Sequence, residues 1–532
     1  MIFQLTGRQL VGGRWISTGS DRLHAVNPAT GKSLEPAFAH ATEAEVDAAM
    51  QSAQRAFAVT RDLSAERRAQ LLAAIAAQIM ALGEELLQRA HIETGLPLTR
   101  LAAERARTCQ QLQLYADLLR EGSWVDAVID TAEPERQPAP RPDLRRMNRA
   151  LGPVVVFGAG NFPFAYGACG GDTASALAAG NPVIVKAHER HPGVNELFGH
   201  IMLAALRECD LPADIFGLVQ GPGATVGQAL AKHPAAQAVA FTGSKRAGRA
   251  LCDLAAARPV PVPVYAEMGS LNPVVILPGA IAGRGAAIAA GLAESITGGA
   301  GQFCTKPGLV FVIGSAATET FIAQLGKEMS VVPATTMLAA EMRDNFCGIT
   351  AAFAKIPGVR TLLAGAPSGF AAMLPQLFAV DSAGWRAHDE LREEAFGPGA
   401  LVVVCRDVAD LLETVAQAGG NLTAALHAGA ADAAPDLRAL AQRLEPLAGR
   451  VIFNGFPTGV EVGHAMVHGG PYPATSAPAT TSVGALAIQR FVRPVCFQNA
   501  PDPLLPVELQ NANPRGIWRT VNGQRTKNPV PA

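Results

Sequence analysis

The feature that most constrains the fold is an alternation that repeats between residues 151 and 269. Short apolar runs recur there, separated by glycine turns and by small-residue or amphipathic segments. Pro153-Val154-Val155-Val156-Phe157 is the first run, and Gly158-Ala159-Gly160-Asn161-Phe162-Pro163 is the turn behind it. The segment 171–180 (GDTASALAAG) predicts a small-residue helix able to pack closely on a sheet, and Asn181–Lys186 predicts the next strand. Ile215–Gly221, Ala238–Ser244 and Val262–Gly269 continue the pattern. Strands that are apolar throughout are buried on both faces, and helical crossovers make them parallel. The chain is therefore expected to be an α/β protein. In such sheets ligands sit beyond the carboxyl ends of the strands. Asn161, Lys186, Ser244 and Glu267 all fall at or just past those ends.

The flanking segments read as scaffold. Thr42 with Glu45 three residues on predicts a capped helix. Ser64 opens a longer one, with Leu71, Leu72, Ile75, Ile79, Leu82 and Leu86 at helical spacing and a stop at Gly95. A third helix is expected from about Leu98 to Glu121. None of the three carries a cluster of reactive side chains, so they are read as structural. Between Asp130 and Asp143, Pro134, Pro138, Pro140 and Pro142 exclude a helix interior and predict an exposed excursion. A second α/β block follows Cys304, with strands near Leu309–Ile313, Leu401–Cys405 and Val451–Asn454. An alternating segment in Thr481–Gln498 is suited to pairing with another sheet.

Composition removes several classes of function. A chain of 532 residues exceeds one ordinary core, which predicts two or three domains. The formal net charge is -1 without a basic stripe, which argues against a nucleic-acid partner. The eight cysteines include no Cys-x-x-Cys pair, a usage that fits free thiols in a reducing compartment and no metal site. No apolar run reaches the ~18 residues of a membrane span, and the N-terminus lacks a signal-peptide pattern. The expectation is a cytoplasmic protein with no membrane partner.

Candidate chemistry lies in five places. Cys304 sits in Gly301-Gln302-Phe303-Cys304-Thr305-Lys306-Pro307-Gly308, after the small run Thr297–Ala300, where backbone and substrate can approach a sulfur closely. Glu267 ends a strand, and a carboxylate there either reaches solvent or has a raised pKa suited to a general base. The Asn161 amide can donate to a developing oxyanion. Phe241-Thr242-Gly243-Ser244-Lys245 places Gly243 and Ser244 at a strand-to-helix turn whose amides suit a phosphate. Arg392-Glu393-Glu394-Ala395-Phe396-Gly397-Pro398 places two acids before an aromatic residue and a turn. Taken singly, each also fits an ordinary buried thiol, surface acid, turn residue or solvated strand end.

Their joint order is more specific. Asn161 in Gly-Asn-Phe-Pro-Phe, Lys186, Phe-Thr-Gly-Ser at 241–244, Glu267-Met-Gly, Gly-Gln-Phe-Cys304-Thr and Glu394-Ala-Phe-Gly-Pro resemble the aldehyde dehydrogenase superfamily. The resemblance runs from about Val11 to about Phe497. Three further stretches, 170–177 (GGDTASAL), 468–475 (HGGPYPAT) and 493–498 (RPVCFQ), resemble the branch of 2,5-dioxopentanoate (α-ketoglutaric semialdehyde) dehydrogenases and NADP-dependent fatty aldehyde dehydrogenases.

The resemblance implies a Rossmann-type cofactor domain (1–125 and 151–268), an α/β catalytic domain (269–475) and a β-arm for oligomerisation (126–150 and 476–500). A C-terminal tail (501–532) and a homodimer or homotetramer complete it. It implies Cys304 as nucleophile, Glu267 as base, and Asn161 with the Cys304 amide as oxyanion site. It places Lys186 and Glu189 at the adenosine ribose, Gly243 and Ser244 at the pyrophosphate, and Glu394 and Phe396 at the nicotinamide. The cofactor is NAD or NADP. Glu189 favours NAD, because a carboxylate accepts from ribose hydroxyls and repels a 2′-phosphate, although His188, Arg190 and His191 could partly offset the repulsion. The implied reaction is oxidation of an aldehyde, 2,5-dioxopentanoate or alternatively an aliphatic (fatty) aldehyde, with a non-catalytic binding protein as a remote alternative. Arg284 and Lys306 are the weak candidates for a cation that would meet an acidic substrate. Phe162, Phe164, Tyr166 and Phe456 are candidates for an apolar tunnel.

Overall fold

The apolar runs form parallel strands. In the computed structural model, which describes residues 3–530, a seven-stranded sheet runs Val264–Glu267, Ala238–Thr242, Val154–Phe157, Val183–Lys186, Phe216–Val219, Gln9–Val11, Arg14–Ile16. The first five strands are parallel, and an N-terminal hairpin adds the last two antiparallel. From Val154–Phe157 the chain winds outward through Val183–Lys186 and Phe216–Val219, then returns to the other side of its first strand. This reversal is the switch point at which such sheets bind ligands. Period-two alternation explains the burial: Val154 and Val156 join one core with the helices Ala65–Ala81 and Pro192–Glu208, while Val155 and Phe157 join another with Glu43–Thr60.

A second seven-stranded sheet runs Arg360–Leu363, Gln376–Asp381, Gly399–Cys405, Leu309–Ile313, Val274–Ile276, Asn421–His427, Ala448–Phe453. It is parallel apart from its first, edge strand. A five-stranded sheet runs Val492–Gln498, Leu144–Ala150, Val128–Asp130, Arg519–Val521, Gln524–Thr526. Residues 501–532, expected as a separate tail, thus lend two strands to the sheet expected from the arm segments alone. The proline-rich excursion between Val128–Asp130 and Leu144–Ala150 is exposed from residue 132 to 140.

Two helices match the sequence signals and one departs from them. Thr42 and Glu45 form a reciprocal capping box, and Leu98–Glu121 is one continuous helix. The segment from Ser64 to Gly95 is not one helix. Gly83, at φ +60° and ψ −130°, breaks it into Ala65–Ala81 and Glu84–Thr94, bent by 77°. The apolar spacing survives the break because both pieces pack on the same core. Among the described residues no single helix is long and apolar enough to cross a membrane.

The C-terminal segment is stitched along the last parallel strand of the first sheet. Met268 N–H donates to Ala474 O, Ser476 N–H to Ala266 O, and Glu267 bridges Thr475. Farther on, Arg490 pairs with Asp172 in the small-residue helix Gly171–Ala179, with side chains only 4% and 9% exposed. Removing one partner leaves a buried charge unpaired, at a cost of about 3–5 kcal/mol. Asp172→Asn is expected to lower the thermal midpoint measurably; an unchanged melting curve would show that the pair does not hold the segment in place.

Candidate active site

Cys304 is positioned by a strained entry. The helix Pro278–Thr297 ends in Gly299, Ala300 and Gly301, at φ +57°, +57° and +65°. Ala300 occupies the left-handed region without glycine's freedom, a strain held by its burial. At Gly301 a Cβ would lie 2.1 Å from the Gly397 carbonyl oxygen. The cysteine loop therefore rests directly on the backbone of the Glu394-Ala-Phe-Gly-Pro segment. The Lys306 ammonium reinforces that contact by donating to Ala395 O at 2.9 Å and Gly399 O at 3.0 Å. Asn272 Nδ2 fixes the carbonyls of Cys304 (2.8 Å) and Lys306 (3.0 Å).

Asn161 reaches the same loop. Its Nδ2 donates to Gln302 O at 2.9 Å, which orients the amide and leaves its second proton for a ligand. Glu267 comes from the strand end. It is only 5% exposed, so the expectation of solvent contact does not hold. Its Oε1 accepts from His468 Nε2 at 3.0 Å and its Oε2 from the Ser482 hydroxyl at 2.8 Å. His468 Nε2 also lies 3.4 Å from the Cys304 sulfur. The reactive atoms of Glu267, Cys304 and His468 all lie within 4.8 Å of one another.

The electrostatics of this cluster differ from the expectation of a raised carboxyl pKa. Burial alone would push the Glu267 carboxyl up. The charge and hydrogen bond of His468, aided by Ser482 and Cys304, outweigh it and hold the group below its ordinary value. The Cys304 thiol moves the other way. Burial and the neighbouring Glu267 charge push it well above its ordinary value, with Arg107 opposing and Glu394 adding to the shift. A half-buried thiol in this setting rests protonated, and the base that would take its proton is already ionised beside it. A shallow cleft lined by Thr242, Glu267, His468, Thr481 and Ser482 among others borders the carboxylate.

Residues expected at a dinucleotide cluster at the neighbouring strand ends. Lys186 Nζ donates to Glu189 Oε1 at 3.0 Å, and Gly223 N–H donates to the same oxygen at 3.1 Å. Ser244 caps the helix Lys245–Ala256 through Ala247 N–H, with Gly243 in the turn before it. An acceptor oxygen left on Glu189 and an open helix start are the donor and acceptor set that a ribose and a pyrophosphate require, so the residues fit a nicotinamide dinucleotide. His188 and His191 stack with centroids 5.1 Å apart. Burial pushes His188 well down and His191 down to about 4, so neither carries charge at neutral pH. Arg190 is paired with Glu341 at 3.4 Å. The offset to the Glu189 charge expected from His188, Arg190 and His191 is therefore weak, and the cation that does face Glu189 is Lys186. Glu394 lies against Gly269, where a Cβ would come within 2.4 Å of its Oε2. Burial raises its carboxyl pKa, with Lys306 opposing. Phe396 is half-buried two residues further on.

Several guesses about the substrate end are corrected. Lys306 is buried and bonded to main-chain carbonyls, as described, and Arg284 Nη2 is held by Ala428 O and Asn454 Oδ1. Phe164 packs on Phe198 in the first-sheet core, and Phe456 packs on His427. Phe162, Tyr166 and Phe303 do pack together, with the Phe162 centroid 5.4 Å from that of Tyr166 and 5.3 Å from that of Phe303, and Phe303 directly precedes Cys304. The functional position missed in the sequence was His468. It stood in a recognised stretch, but no local spacing links it to Glu267 across 201 residues.

The arrangement agrees with what the chain is similar to. The model of the aldehyde dehydrogenase family matches residues 15–471. The chain belongs to the aldehyde dehydrogenase family. It is 48% identical to alpha-ketoglutaric semialdehyde dehydrogenase 2 of Azospirillum brasilense over 98% of this chain and 99% of that protein. It is 42% identical to the alpha-ketoglutaric semialdehyde dehydrogenase of Acinetobacter baylyi, with the same coverage. A 1-pyrroline-5-carboxylate dehydrogenase from Thermus, solved with bound NAD, shares the fold at a TM-score of 0.77 and 23% identity, covering 92% of each chain. As an aldehyde dehydrogenase the protein is an NAD(P)-linked oxidoreductase acting on an aldehyde.

The raised thiol makes a direct prediction for this aldehyde dehydrogenase without cofactor. Alkylation of Cys304 by iodoacetamide, followed on its own peptide by mass spectrometry, should accelerate about tenfold per pH unit between pH 7 and 9. A rate already level by pH 7 would mean that the thiolate is preformed.

Proposed function

We propose that the protein oxidises 2,5-dioxopentanoate to 2-oxoglutarate with NAD. The observation that carries the reading is similarity along nearly the whole chain to two alpha-ketoglutaric semialdehyde dehydrogenases, together with the Cys304–His468–Glu267 cluster.

In this reading the Cys304 thiol passes its proton to the Glu267–His468 pair and its sulfur attacks the aldehyde carbon. The second Nδ2 proton of Asn161 and the main-chain amide of Cys304 receive the oxyanion. One such donor is worth about 3–4 kcal/mol of transition-state stabilisation. Lys186, Glu189, Gly243, Ser244, Glu394 and Phe396 would hold NAD, which would supply the hydride acceptor for oxidation of the Cys304 hemithioacetal to a thioester. Once the pair has released the thiol's proton to solvent, Glu267 takes a proton from water entering by the cleft it lines, the water oxygen displaces the sulfur, and that proton returns to the departing Cys304 thiolate. His468 keeps the carboxylate ionised in a buried place, so the base is ready near neutral pH. Glu189 supports NAD over NADP, since its carboxylate would face a 2′-phosphate with no charged histidine beside it.

Initial rates at 340 nm test this directly. Turnover of 2,5-dioxopentanoate should exceed that of octanal, with NAD ahead of NADP, and Cys304→Ala should be inactive. Glu189→Ser should shift the NADP/NAD ratio of kcat/KM upward by about 10–100-fold. Faster turnover of octanal with NADP would overturn the reading. A second prediction concerns pH. His468→Leu removes the main influence that opposes burial and leaves only Ser482 and Cys304 to hold Glu267 down, so its carboxyl rises and the acid limb of the pH–rate profile should move upward by about one unit or more. A limb that stays in place would show that His468 does not tune the base.

A further inference from the structure

The helix Leu98–Glu121, expected to be purely structural, brings two guanidinium groups to the thiol. Arg100 lies over the rings of Phe162 (5.0 Å) and Phe303 (4.5 Å), the chain neighbours of Asn161 and Cys304. Its Nη2 donates to Asn161 O at 2.8 Å, which leaves Nη1 buried without an acceptor. Arg107 lies over the Tyr166 ring at 5.6 Å, and its Nε donates to Val460 O at 3.0 Å. Both of its Nη atoms and the Tyr166 hydroxyl are buried without a well-formed hydrogen bond, although the hydroxyl and the guanidinium lie close enough to interact. Arg107 is also close enough to act on the Cys304 thiol electrostatically, against burial and Glu267.

An unsatisfied buried guanidinium is costly, and these groups are not consumed by the fold. The Nε–Val460 bond fixes the Arg107 plane and leaves its end-on pair of nitrogens free. That fork matches one acceptor well, a carboxylate bound through both oxygens. An apolar cluster that includes Phe162, Tyr166, Val460, Val462 and Met466 adjoins this helix through Leu114. The fold thus brings a nucleophile, apolar side chains and a buried cation into one region.

We propose that Arg107, with Arg100 beside it, is the subsite for the substrate's carboxylate, and that the enzyme selects short aldehydes carrying an anionic far end. This rests on the reading of the substrate as an oxo acid. In 2,5-dioxopentanoate four carbon–carbon bonds separate the aldehyde carbon from the carboxylate carbon. An aliphatic aldehyde places only methylene groups against Arg107 and leaves both nitrogens unsatisfied.

The test compares kcat/KM for 2,5-dioxopentanoate with that for pentanal in the wild type, Arg107→Met and Arg107→Lys. The acid-to-pentanal ratio should fall about 100-fold in Arg107→Met, mostly through KM for the acid, with partial recovery in Arg107→Lys. An unchanged ratio in an Arg107→Met protein that melts like the wild type overturns the proposal. Should the methionine variant not fold, wild-type pentanal oxidation decides the matter. Glutarate should inhibit it competitively at least about tenfold more strongly than pentanamide, and equal inhibition overturns the subsite. If the wild type does not oxidise 2,5-dioxopentanoate, the substrate reading fails on its own. Arg107 is then judged by the same ratio for succinic semialdehyde and butanal.

Discussion

The site depends on keeping one carboxylate charged where burial would neutralise it. Glu267 stands at the end of a parallel strand, almost wholly enclosed. Its two oxygens are satisfied by His468 and Ser482, which belong to a segment reached two hundred residues later. That segment is laid against the strand by main-chain bonds on either side of Glu267. The pairing that covers the sheet edge is thus the pairing that delivers the imidazole and hydroxyl to the carboxylate. Buried carboxylates without such partners protonate. Stability of the C-terminal segment and ionisation of the base are two results of one set of contacts.

The fold was legible because its signal is local. A run such as Val154–Phe157 is buried on both faces, so its apolarity, its strand identity and the parallel sheet all follow from a few adjacent residues. The helix break at Gly83 was not legible, because both halves present their leucines and isoleucines to one core and the periodicity does not register the bend. Residues 501–532 carry too little alternation in Arg519–Val521 and Gln524–Thr526 to announce membership of a five-stranded sheet.

The site was legible in part, for the same reason. Cys304, Glu267, Asn161 and Glu394 each lie in a short glycine-bearing stretch, where the backbone constraint leaves a trace. Gly301 shows why: a side chain there would collide with Gly397, so the glycine marks the contact between two functional loops. His468, Arg100 and Arg107 act only through long-range contact. A histidine before two glycines and two arginines on a helix look alike whether they face solvent or a thiol. Only the folded protein tells the two apart, through the contacts of His468 with Glu267 and Cys304 and the unpartnered guanidinium atoms of the arginines.

Charge around the sulfur has a common logic. Glu267 and Glu394 raise the thiol pKa and Arg107 lowers it, so the resting cavity holds a protonated cysteine, an ionised base and a free cation. A substrate carboxylate arriving at Arg107 would neutralise a group that favours the thiolate. Binding an acidic aldehyde would therefore tend to suppress the nucleophile, unless the proton already has a place to go. The Glu267–His468 pair provides that place within reach of the sulfur. Selecting an anionic substrate and buffering the cysteine proton through an imidazole are thus coupled requirements. In that light the histidine and the arginine belong to one design, although they come from opposite ends of the chain.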